Sequence, residues 1–193
     1  TVLAMNSASM GDGSLRSTWG GKLGAQNRQW LRDQLDAVET PVVTFHHNVG
    51  ALPDAPGGKY RNFQLQDAEA VTEILSSHDV PLVVTGHHHV PAIQDHGPTT
   101  EVLAPAVCSY PNAMLCVDID QHGAVVRMVP LADQDEVATA RRAAVTGKPL
   151  AAGIAEMVDR RGETLPLQKR SVSAGSRRKA PGQARGGGPR LMG

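Results

Sequence analysis

The chain has 193 residues, enough for one domain with a sizeable core, and aromatic residues make up only 3% of it, so the core must rest on Val, Leu, Ala and Ile. Its formal charge is zero but unevenly spread. Residues 1–130 carry 7 Lys+Arg against 13 Asp+Glu together with all eight histidines, and residues 131–193 carry 12 against 6. No apolar run reaches the length of a membrane span, no secretory signal is visible, and neither Cys108 nor Cys116 belongs to a C-x-x-C pair, which excludes a zinc ribbon or a thioredoxin-type motif.

In chain order, Thr1–Met5 reads as a buried strand and residues 6–24, rich in Ser and Gly, as a long loop. Gln26–Val38 reads as a helix, with Trp30, Leu31, Leu35 and Val38 on one apolar face. Val42–Phe45 is the next strand, followed by a Pro/Gly-rich loop over 49–61. Asp67–Ser77 is a helix with Ala70, Val71, Ile74 and Leu75 inward, and Val80–Thr85 is a strand. The pattern then changes to short strands at Ala92–Asp95, Glu101–Ala104, Ala113–Asp120 and Gly123–Pro130, with a hairpin turn at His122-Gly123. The expected class is therefore α/β, with α/β units first and antiparallel strands after. Ala132–Thr146 and Leu150–Arg161 are helical in composition and form a C-terminal extension over 131–168. From Lys169 to the end there are seven Lys+Arg, no acid and almost no large apolar residue, the composition of a disordered basic tail.

The chemistry concentrates at two strand ends. Val83-Val84-Thr85-Gly86 runs directly into His87-His88-His89, and Val42-Val43-Thr44-Phe45 runs into His46-His47-Asn48. In open α/β sheets, ligands bind at the carboxyl ends of strands, and neutral imidazole is a common ligand for first-row metals. On an extended segment, side chains two apart point the same way, so His87 and His89 are expected to converge and His88 to point away. Of His46 and His47, either can be the ligand. His78, His96 and His122 stand alone and read as ordinary structural or surface residues.

These motifs, with Asn6-Ser7 at the first strand end, the Gly-rich stretch and Trp30-Leu31 on the first helix, resemble the C-terminal half of a calcineurin-like metallophosphoesterase over residues 1–130. The nearest branch by motif is that of bacterial cyclic-nucleotide and glycerophosphodiester phosphodiesterases. The resemblance implies part of a four-layer αββα sandwich with two metal ions at its strand ends. It implies that His46 and His87 bind one ion, that His89 binds the other, and that Gly86 gives the tight turn. Fe, Mn, Zn and Co all suit such ligands. Two such ions clamp a phosphoryl oxygen and lower the pKa of a bridging water for in-line attack at phosphorus. The substrate class is then a small-molecule phosphate ester. The sequence departs from the family in two places. Asn48 stands where a proline usually follows the first His pair, and the Asp-x-His, Gly-Asp-x-x-Asp and Gly-Asn-His-Asp motifs are absent.

The expectation is a metal-dependent phosphoric ester hydrolase whose chain is incomplete at its N-terminal side, so that the longer parent hydrolyses phosphodiesters and this chain alone does not. The alternatives are an inactive fragment serving as a binding or assembly module, and a single-metal protein with three histidines and water at the ion. The expected compartment is the cytoplasm, and homo-oligomerisation stays open. The basic tail has no interleaved aromatics to stack on bases, so a solvated tail is favoured over nucleic-acid binding. Lys59, Tyr60 and Arg61 after the first His pair, and Ser109 and Asn112 near Cys108, are positional candidates for substrate contact, with ordinary loop roles favoured for the last two.

Overall fold

A computed structural model describes residues 1–8, 20–52, 63–120, 123–162 and 168–170. Two βαβ units open the chain: strand β1 (Val2–Ala4), helix α1 (Gly24–Ala37), strand β2 (Val42–Thr44), helix α2 (Ala68–Ser77) and strand β3 (Leu82–Thr85). A hairpin of β4 (Ala92–His96) and β5 (Thr99–Leu103) follows, and Gly97 at its tip takes a positive φ of 66°. These strands form one sheet in the order β1-β2-β3-β5-β4. β1, β2, β3 and β5 run parallel, and β4 closes the edge antiparallel to β5. The mixed α/β class expected from the sequence is what the chain adopts. One pairing differs from expectation. β5 joins the parallel set, because the β4–β5 turn brings its second strand rather than its first against β3.

A second sheet holds β6 (Ala113–Asp120), β7 (Gly123–Pro130) and β8 (Gln168–Arg170) in that order, antiparallel throughout. The β6–β7 register ends at Asp120 opposite Gly123, as a hairpin there requires. The segment from Lys169, expected to be without fixed structure, therefore begins inside a strand; residues 171–193 lie outside the described residues. Helices α3 (Gln134–Thr146) and α4 (Pro149–Gly162) follow β7. Among the described residues no helix is long and apolar enough to cross a membrane. Both cysteines are free, Cys108 exposed and Cys116 half-buried.

Alternation along the strands decides the layers. Val43 and Val83 pack with Leu31 and Leu35 of α1 and Val71, Ile74 and Leu75 of α2, so these helices cover one face of the five-stranded sheet. Leu82, Val102 and the half-buried Val42, Val84 and Ile93 face the other way, against Ala124, Leu115, Val117 and Val126 of the second sheet. Leu103 and Ala92 return to the helical side, where Met157 and Val158 of α4 cover them. Helices, first sheet and second sheet therefore stack in three layers. Trp30, expected on the inner face of α1, is 41% exposed; Leu31 and Leu35 alone form its buried stripe.

Candidate metal centre

The two histidine clusters meet because β2 and β3 are neighbours and their pairing continues past both strand ends. Phe45 N–H donates to Val84 O at 3.3 Å, and Gly86 N–H donates to His46 O at 2.9 Å. The second bond fixes the backbone at His46 beside the residue that precedes His87. Their side chains then touch, with His46 Nε2 at 2.9 Å from His87 Nδ1 and ring centroids 4.8 Å apart. His47 closes the group, its ring centroid 4.9 Å from that of His46 and 4.3 Å from that of His87. One nitrogen from each of His46, His47 and His87 lies within 4.8 Å of the others, and this is the group among the described residues able to hold a metal ion.

The spacing suits an ion. Two imidazole nitrogens bound at about 2.0–2.1 Å to zinc, and subtending roughly 90–110°, stand about 3.0–3.4 Å apart. His46 and His87 are already at 2.9 Å, and a nitrogen of His47 completes a group in which all three lie within 4.8 Å of one another. Electrostatics favour the neutral, ligating form. Burial, and then electrostatic repulsion from nearby His89, hold the His46 pKa below the usual histidine value.

His47 is held from behind. It is buried, and Ser7 Oγ lies 2.9 Å from its Nδ1 while also accepting its backbone N–H at 3.1 Å. With the ring proton on Nδ1, Ser7 accepts it and Nε2 keeps its lone pair for an ion. Gly21 packs closely against this ring. A Cβ there would come within 2.2 Å of His47 Nδ1, so only glycine fits.

The segment 86–89 departs from the extended backbone assumed in reading the sequence. β3 ends at Thr85, and His87 and His89 take positive φ values of 67° and 59°. These left-handed conformations cost strain in a non-glycine residue and recur at functional sites. The two-residue alternation therefore does not operate here, and His89 is exposed and outside the close group of three, though near enough to act on His46 electrostatically. The turn itself runs through these histidines, because Gly86 does not have a positive φ. His88 is buried and packs beside Phe63, their ring centroids 5.3 Å apart. Burial lowers its pKa to about 4, with Glu101 pulling it up and Arg161, His89 and His47 pushing it down.

The remaining sequence candidates fall elsewhere. His78 bonds Ile74 O through Nδ1 at 2.8 Å at the end of α2. Asn112 sits in the turn before β6, bonding Ser109 O through its backbone at 2.6 Å, and Ser109 is exposed. Lys59, Tyr60, Arg61 and His122 lie outside the described residues. His96, read as solitary, instead bonds Glu101 at 2.7 Å. Glu101 itself gave no signal in the sequence, because an acid on a short strand normally faces solvent.

No family model matches this sequence, and no curated protein matches it. Among solved structures the chain is similar to a dimetal phosphatase from Danio rerio, with 20% identity and a TM-score of 0.46 over 56% of this chain and 36% of that one. It is also similar to a zinc-complexed Vps29 from Entamoeba histolytica, with 15% identity and a TM-score of 0.30 over 69% of this chain and 93% of that one. The chain spans about a third of the length of the Danio rerio phosphatase. Similarity at this level transfers no residue role.

Proposed function

We propose that this chain carries the histidine side of a metal centre that hydrolyses phosphoric esters. The convergence of His46, His47 and His87 at the carboxyl ends of two adjacent parallel strands carries the reading. The motif resemblance supplies the reaction class, and small-molecule phosphodiesters or phosphomonoesters are its substrates. His46 and His87 hold one ion, His47 reaches the same ion from its Ser7-backed position, and exposed His89 is available to a second. A transition-metal ion in such a site supplies Lewis-acid polarisation of a phosphoryl oxygen and brings the pKa of a water toward neutrality. The protein's own part is to favour the neutral form of His46 by partial burial, to orient the imidazoles through Ser7 and Gly86, and to expose His46 and His89 to an arriving ester.

One observation favours a second reading. The group of three contains no carboxylate among the described residues, whereas a dinuclear centre needs a bridging ligand. A chain that binds an ion or a partner here without turnover is the alternative. Hydrolysis of bis(4-nitrophenyl) phosphate with Mn²⁺ separates the two. Turnover that appears when a carboxylate-bearing half is supplied, in the same chain or as a second polypeptide, and that drops at least 100-fold in His87→Ala supports the hydrolase. Turnover indifferent to His87→Ala, or none with any supplied half, contradicts it.

A further inference from the structure

Glu101 is fully buried on β5, on the helical side of the first sheet, and four donors from three separate segments converge on its carboxylate. Oε1 accepts the backbone N–H of Val49 at 2.8 Å and Thr85 Oγ1–H at 2.7 Å. Oε2 accepts the backbone N–H of Gly50 at 3.2 Å and faces His96 Nε2 at 2.7 Å. Two backbone amides, a hydroxyl and, with its proton on Nε2, the His96 ring together match the acceptor capacity of a carboxylate. The segments it joins are the ones that matter to the metal centre. Val49 and Gly50 follow His46 and His47 after the single residue Asn48, and Thr85 is the last residue of β3 before Gly86 and His87. The fourth donor is equally built in, since a Cβ on Gly50 would come within 2.4 Å of His96 Cε1.

Resting on the metal-centre reading above, we propose that Glu101 is the positioning residue of that centre, binding the loop after β2 to the end of β3 so that His46, His47 and His87 stay at ligand spacing. The backbone bond from Gly86 N–H to His46 O sets the two strand ends side by side, and Leu65 N–H ties Asn48 O at 2.9 Å on the far side of the loop. Glu101 adds the link between the two, taking two consecutive amides of the loop and the Thr85 hydroxyl on one rigid group. Left-handed backbone at His87 persists only where its surroundings over-determine it, and the bond to Thr85, two residues earlier, contributes to that. A side chain of the same shape cannot substitute, because the Gln amide would present N–H to at least one of the four donors.

The test compares the 193-residue wild type with Glu101→Gln, Thr85→Val and, as a control for general destabilisation, Leu35→Ala in the α1 core. Amide hydrogen exchange at Val49 and Gly50 is read without metal, and Co²⁺ binding is read by its d–d absorption. Glu101→Gln is expected to lose protection at both amides and to bind Co²⁺ at least tenfold more weakly with an altered absorption band. Thr85→Val, which deletes one donor, is expected to weaken Co²⁺ about threefold, and Leu35→Ala to leave Co²⁺ binding within twofold of wild type while lowering protection at the two amides by no more than its loss of global stability. Glu101→Gln with both amides still protected and Co²⁺ affinity within twofold of wild type overturns the role. If Glu101→Gln does not fold, wild-type Co²⁺ binding by Thr85→Val overturns it equally. A wild type that binds no Co²⁺ refutes the metal-centre reading, and with it a positioning role for that centre, whereas the exchange data then still show whether Glu101 fixes the loop.

Discussion

A histidine buried next to a ligand cluster makes a chain sensitive to acid. His88 packs behind the group of three beside Phe63, and burial brings its pKa to about 4 from an ordinary 6.5. Because the folded value lies below the unfolded one, the unfolded chain takes up the proton first as pH falls. The stability is complete above about pH 6.5 and is lost down to about pH 4, by as much as about 3 kcal/mol. Melting curves across that window are expected to shift less for His88→Phe than for wild type, and equal shifts would show that His88 does not titrate this way. His88 was legible as the odd member of its run, since it points away from the others, but its burial was not. The sequence pattern placed His87 and His89 together through an alternation that holds only on extended backbone, and the positive φ values at both residues remove that premise.

Two elements owe their ends to side chains from elsewhere. Helix α1 begins at Gly24 with no side-chain cap of its own, and Asp67, which precedes α2, accepts Leu23 N–H at 3.1 Å and Gly24 N–H at 2.9 Å while pairing with Arg28. The carboxylate also lies at the positive end of the α1 dipole. Asp67→Ala is expected to cost about 1–2 kcal/mol in denaturant unfolding, and a loss below 0.5 kcal/mol would mean that the α1 start is held by packing alone. At the other end of the chain, Tyr110 O–H donates to Asp159 of α4 at 2.6 Å, and Arg141 of α3 forks onto the same carboxylate. Burial first and this acceptor second raise the Tyr110 pKa to about 12. Ultraviolet titration is therefore expected to show one phenol near 12 that moves toward 10 in Asp159→Ala; an unchanged titration would exclude the contact in solution. The helices themselves were readable to within two residues, α1 and α2 from apolar periodicity and α3 and α4 from composition, and β6 and β7 to the residue, because long alternating strands flank a Gly turn. β3 begins later than its apolar run, since Val80 N–H still bonds Leu75 O at the α2 end.

Among the described residues, a mostly parallel sheet carries helices on one face and a second sheet on the other, and its carboxyl strand ends gather the histidines of residues 46–47 and 87. That arrangement follows from the βαβ order, which was plain in the sequence. The insertion of β5 beside β3 was not, and it is this pairing that carries Glu101 under the site. Long-range placement of a single buried acid leaves no periodic trace, so no window of sequence announces it. That His46, His47 and His87 form one metal site is tested most directly by the number of Zn²⁺ ions retained per chain after gel filtration, with the accompanying change in melting temperature. The wild type is expected to retain zinc and to melt higher with it than after chelation, whereas His46→Ala/His87→Ala retains none and melts the same in both conditions. Zinc retained equally by the double variant, or not retained by the wild type, would contradict the account.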